Sequence, residues 1–219
     1  TSSLAALGGL LIYFLIPDGP YRKSAQAINL SAINQVFKNH KFRSAAMGYF
    51  GHMWELYAFW TFTPVLINAY CVSFDIDMNI SLWSFIIIGI GAISCIAGGY
   101  LSVIYGAKKV AISALTVSGV CCLLIPFAFL LPEYLFLLFL TIWGISVIMD
   151  SPMLSTLVAH NAEPQIKGTA LTIVNCIGFS ITIVSIQLIN FLSTGTDIRY
   201  FLLLLAIGPL IGVLNLRKG

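Results

Sequence analysis

The chain has 219 residues, with 11 Lys and Arg against 8 Asp and Glu, and is 59% hydrophobic but only 9% charged. Soluble domains carry about 25% charged residues, so this composition excludes a soluble globular protein and indicates an integral, multi-pass membrane protein. A nucleic-acid partner is excluded too, because no basic stripe alternates with aromatic residues.

Apolar runs recur along the chain, bounded by charges, prolines or glycines. The first, 2–16, falls short of the roughly twenty residues that a spanning helix needs. It reads as a truncated transmembrane helix (1–16) belonging to an upstream half. Residues 17–44 form a long polar connection. In it Ala25, Ile28, Ala32, Ile33, Val36 and Phe37 recur at helical spacing, opposite Asn29, Asn34, Gln35 and Lys38. That pattern suits an interfacial helix, and a lightly ordered linker is the alternative. Further spans follow at 45–71, 82–105, 110–131, 135–159, 169–192 and 200–216. The runs do not alternate polar and apolar, which argues against a β-barrel. The expected fold is all-α, a helical bundle of about seven transmembrane helices, six of them forming a bundle over 45–216.

Basic residues set the orientation. Arg22, Lys23, Lys38, Lys41, Arg43, Lys108, Lys109, Lys167, Arg217 and Lys218 fall on one side of the expected spans, and Arg199 falls on the other. The positive-inside rule makes the first side cytoplasmic, with the C-terminus there. Asp75, Asp77, Glu133 and Asp197 take the outer loops. The five cysteines (Cys71, Cys95, Cys121, Cys122 and Cys176) lie in apolar stretches without CxxC spacing. They read as small buried residues, forming neither a disulfide framework nor a metal site.

Two loops carry family-like motifs. The segment GGYLSVIYGAKKV (98–110) is similar to the G-x-L-x-D-R-x-G-R-K signature of the major facilitator superfamily. Gly99, Leu101, Gly106 and Lys108 match, while Val103 replaces the acid and Ile104 and Ala107 replace basic positions. The segment EPQIKGTAL (163–171) resembles that family's P-x-x-R-G-T loop through Pro164, Lys167 and Gly168. Lysine replaces arginine there and gives up its planar fork. With the topology, the chain resembles the C-terminal half of such a carrier, from the end of the sixth helix through the twelfth. The stretches GHMWELYAFW and DSPMLSTLVA look like a bacterial subgroup. The resemblance implies two six-helix halves, a missing N-terminal half, and residence in a bacterial inner membrane. It also implies that the helices holding Glu55 and Asp150 face each other across a central cavity.

Charged residues inside a membrane are costly and usually functional. His52 and Glu55 lie three apart on one helix face, in a stripe with Gly48, Phe59, Phe62 and Leu66. Counting from Arg43 puts Glu55 about 18 Å deep, near the middle of a core about 30 Å thick. A carboxylate there can be neutralised by a proton, and His52 could relay that proton or hold the carboxylate. A purely structural hydrogen bond is the plainer alternative. Asp150 is the other intramembrane acid, on a face with Trp143, Ser146 and Met153. It precedes Pro152, which should kink the helix, so Asp150 could also cap a restarted turn. Tyr49, Trp54, Tyr57 and Trp60 surround Glu55 in sequence. Trp54 and Tyr57 point away from its stripe and suit packing. Asn175 and Gln187 suit interhelical hydrogen bonding, and Asn175 also counts among the cavity candidates. A metal centre would need the acid–histidine pair repeated on a second helix, and it is not. No nucleophile–base constellation or cofactor loop suggests an enzyme or a cofactor.

No Lys or Arg lies in the middle of any span, which disfavours an anionic solute. The expectation is secondary active transport of a small neutral or cationic solute by alternating access, coupled to protons in symport or antiport. The rivals are a seven-span receptor or sensor and a non-transporting membrane subunit. The last span lacks a lysine for a retinal Schiff base, which weakens the photosensor reading.

Overall fold

The structure, a computed structural model, describes residues 2–17, 36–193 and 197–219, and among them every regular element is helical. The helices are α1 (Ser2–Leu15), α2 (His40–Phe74), α3 (Ile80–Gly89), α4 (Gly91–Tyr105), α5 (Ala107–Ala128), α6 (Glu133–Asn161), α7 (Lys167–Leu192), α8 (Ile198–Phe201) and, after a 3-10 turn at Leu202–Ala206, α9 (Ile207–Lys218). Among the described residues, five segments are long and apolar enough to cross a membrane: Ile80–Tyr105, Ala107–Ala128, Glu133–Asn161, Lys167–Leu192 and Ile198–Lys218. Helix α1, with 14 residues, is shorter than a span and exposed along its length. Most of the expected interfacial helix in 17–44 lies outside the described residues.

The expected span at 45–71 exists as α2, which is 35 residues long yet is not among the five most apolar segments. Its position explains this. It packs against α9, α7, α6 and α3 at once, and residues from Phe42 to Cys71 are buried on successive turns. A helix packed by protein over most of its length need not be uniformly apolar to sit in a bilayer, and its later turns expose a face at Thr61, Val65, Asn68 and Val72. Polar residues inside such a bundle are satisfied by neighbours rather than by lipid. The ends of α2 are built locally. Asn39 Oδ1 accepts from the amides of Lys41 (3.0 Å) and Phe42 (3.2 Å), an N-cap. Asp75 closes the other end at φ 52°, its amide bonded to the carbonyl of Cys71.

Glycines let the backbones of α2 and α9 touch. A Cβ on Gly51 would lie 2.2 Å from the carbonyl oxygen of Gly208, and a Cβ on Gly208 would lie 2.3 Å from that of Gly51. Close approach through small residues is the usual way helices associate in lipid. The same logic joins α4 to α6: a Cβ on Gly98 would meet Met149 Cγ at 2.7 Å. The motif glycine Gly99, by contrast, faces open space, as does Gly168. Gly106 does need to be glycine, because its φ of +88° turns the chain between α4 and α5.

Helix α6 runs unbroken through Pro152. The cap expected of Asp150 is thus not formed, since no turn restarts there. Pro152 has no amide to offer the carbonyl of Ile148, one turn earlier. The thiol of Cys95 on α4 points at that carbonyl instead, with sulfur and oxygen 3.7 Å apart.

Charge separates along the bundle. Lys41, Lys108, Asn161 and Gly219 line one small cavity, so the loops before α2, α5 and α7 and the chain end meet at one end. At the other end Tyr70 donates to the carbonyl of Leu131 (2.6 Å), and the Arg199 guanidinium pairs with Asp197 and lies 4.7 Å over the Phe129 ring. Replacing Gly51 by alanine should lower stability by about 1–3 kcal/mol or block folding, through overpacking against α9. Thermal unfolding in detergent checks this against Gly99→Ala, which should match the wild type; equal melting of both variants would contradict the α2–α9 contact.

Candidate functional site

His52 and Glu55 point from α2 into the bundle, and both are fully buried. Glu55 draws donors from two other helices. Its Oε1 accepts from Trp143 Nε1 on α6 (2.6 Å) and from Cys122 Sγ on α5 (3.2 Å). Its Oε2 accepts from Ser118 Oγ on α5 at 2.9 Å. Three donors on one carboxylate are what an ionised acid, able only to accept, requires. Ser118 adds a second possibility, because its hydroxyl also lies 3.2 Å from the carbonyl of Leu115. One hydroxyl proton serves one of these acceptors fully at a time. With Glu55 ionised it goes to the carboxylate. With Glu55 protonated, Ser118 can accept from the acid and donate to Leu115, so both states are hydrogen-bonded.

His52 has a different partner. Its Nδ1 lies 2.9 Å from Asp150 Oδ1 on α6, and both side chains are 0% exposed. The distance is that of an ion pair, but the ring N–H is not aimed well enough to make a hydrogen bond, and His52 Nε2 and Asp150 Oδ2 have no partner among the described residues. Orphaned polar atoms at full burial are uncommon in native interiors. Two acids and an imidazole therefore meet at the junction of α2, α5 and α6, with Glu55 met by three donors and the His52–Asp150 pair left with unpartnered atoms.

The remaining predicted residues fall around this cluster. Phe59 packs on Trp143 with ring centroids 4.8 Å apart, which holds the indole against Glu55. The Tyr49 ring lies 6.2 Å from His52 and runs into a cavity of about 380 Å³ shared with Asn175. The Asn175 side chain makes no hydrogen bond among the described residues and is exposed. Trp54 and Tyr57 pack elsewhere, Trp54 donating to the Leu204 carbonyl (3.1 Å) and Tyr57 contacting Trp60 and Phe179. The loop residues Lys108, Pro164, Lys167 and Gly168 are remote from the cluster, at helix starts and in the turn between α6 and α7.

One expectation changes. Glu55 and Asp150 lie inside the packed interior of these helices, not on open, facing walls, because α5 covers Glu55 and His52 covers Asp150. Sequence reasoning passed over Ser118 and read Cys122 as inert. Their spacing of four on α5, a polar and a thiol group one turn apart, was the available signal. Among the described residues, no group of three or more His, Cys, Asp and Glu is arranged to hold a metal ion.

Five of the described segments are of membrane-crossing length, and the bundle encloses two acids and a histidine. The model of the Major Facilitator Superfamily matches residues 1–186, and the chain belongs to that superfamily, whose members move small solutes across membranes. No curated protein matches it.

Removing one partner of a buried pair strands the other, at a cost of about 3–5 kcal/mol. Asp150→Ala should therefore destabilise the protein markedly, and His52→Ala in the same background should add little. A double-mutant cycle on thermal or denaturant stability in detergent checks this, and strictly additive losses would contradict the pairing.

Proposed function

We propose that the protein is a secondary transporter working by alternating access and that Glu55 is its proton-coupling carboxylate. The observation that carries this reading is that the Ser118 hydroxyl lies within hydrogen-bond distance of both Glu55 and the Leu115 carbonyl, an arrangement that can satisfy Glu55 with or without a proton. Protonation removes a charge from a low-dielectric interior, so it lowers the cost of rearranging the helices that enclose it. His52 and Asp150 lie between Glu55 and the Tyr49 cavity. Their unsatisfied atoms provide a place for a proton or water to pass between solute and carboxylate. Both six-helix halves take part, the upstream one supplying the opposite side of the cavity. The absence of Lys and Arg from the middle of the spans favours a neutral or cationic solute. The basic end of the bundle is the cytoplasmic one by the positive-inside rule, and the resemblance to a bacterial subgroup favours a bacterial inner membrane.

The full saturation of Glu55 favours one other reading, that the network is a latch holding α2, α5 and α6 together. The two separate in one experiment, in which the intact carrier is sealed into vesicles with an internal pH dye. Under the coupling reading, Glu55→Gln loses solute-dependent pH changes and its accumulation falls to the equilibrium level, while solute exchange continues. Retained uphill transport in a variant that merely melts lower would assign Glu55 to the latch.

A further inference from the structure

The cavity beside the His52–Asp150 pair has a lining that says what kind of solute fits it. It is walled by Tyr49 from α2, Ser155 and Thr156 from α6, and Leu171, Val174 and Asn175 from α7, and encloses about 380 Å³. That is near the lower end of the roughly 300–1,000 Å³ typical of small-molecule sites. No residue lining it is charged.

The polar groups there are uncommitted. Several serine and threonine hydroxyls in the bundle turn back onto their own helix, as Thr63 does to the Phe59 carbonyl (2.7 Å), Thr141 to that of Leu137 (2.8 Å) and Ser180 to that of Cys176 (2.9 Å). Ser155 and Thr156 make no such bond, and neither the Asn175 amide nor the Tyr49 hydroxyl has a hydrogen-bond partner among the described residues. Ser155, Thr156 and Asn175 are exposed to the cavity. Tyr49 is held toward it because Gly178 leaves room for its ring, where a Cβ would come within 2.7 Å.

Three hydroxyls and a carboxamide each offer both donors and acceptors, and none offers a charge. A carboxylate or phosphate would be matched by a cation, and an amine by an acid or a cage of rings. Alternating donors and acceptors between apolar walls instead match a molecule with hydroxyls on a C–H framework. We propose that this cavity binds an uncharged, hydroxyl-rich solute of about monosaccharide to nucleoside size, hydrogen-bonded by Tyr49, Ser155, Thr156 and Asn175. The proposal rests on the transport reading above and names the solute class of the same device. It narrows the neutral-or-cationic choice to neutral.

The test uses the intact carrier in membranes, with Ser155→Cys introduced beside Cys176→Ser to remove the exposed native thiol. The rate of methanethiosulfonate labelling is measured alone and with glucose, mannitol, uridine, tetramethylammonium or benzoate. At least one of the three hydroxylated solutes should slow labelling about tenfold when present at about ten times its Kd, as mass action on the free site requires. Adding Asn175→Leu should remove that protection. Protection by tetramethylammonium or benzoate alone would overturn the proposal, as would protection by none of the five. If the cysteine variant fails to fold, the same solutes are compared by the shift in thermal unfolding of the unmodified carrier, with the same outcomes deciding. Labelling needs no proton movement. Protection by a sugar without any pH change in vesicles would therefore remove Glu55 from coupling and leave the solute class in place.

Discussion

Two carboxylates and an imidazole lie fully buried where three helices meet, and much of the structure follows from accommodating them there. In lipid-enclosed protein there is little water to fall back on, so each buried polar atom must find a partner or stay costly. Trp143, Ser118 and Cys122 converge on Glu55 for this reason, and Phe59 braces the indole that makes its shortest bond. Their convergence fixes the rotation of α2 relative to α5 and α6. That rotation in turn brings His52 to Asp150 and Tyr49 to the edge of the neighbouring cavity.

The close contact of α2 with α9 is the second constraint. Gly51 and Gly208 bring two backbones together one turn from Glu55, so α2 is held by α9 as well as by α5 and α6. Trp54 packs beside Gly208 and Leu216 beside Gly48, so side chains border the backbone contact. Helix α2 is thus held by a polar network and by a close backbone contact with α9. Loss or gain of one proton at Glu55 changes only the first of these.

Much of the fold was legible in the sequence because apolar runs of spanning length have one structural outcome in a membrane. The runs at 110–131, 135–159 and 169–192 became α5, α6 and α7 with shifts of a few residues. Less legible was the status of α2. Its polar content reflects burial within the bundle, which depends on neighbours that are distant in sequence. The site was partly legible. His52 and Glu55 stood out by charge and spacing, whereas Ser118 and Cys122 look ordinary until α5 is placed against α2. Asp150 was recognisable as an intramembrane acid. Its partner was not, because the neighbouring Pro152 suggested a local capping role, and only the unbroken course of α6 shows His52 opposite it.

A proton that comes and goes at Glu55 separates a switch from a latch. Infrared difference spectroscopy on the intact carrier in lipid, stepped from mildly acidic to mildly alkaline pH, measures this directly. The account predicts a protonated-carboxyl band that disappears as pH rises and is missing from Glu55→Gln. A carboxyl signal from Glu55 that stays the same across that range would contradict it, and the network would then be structural.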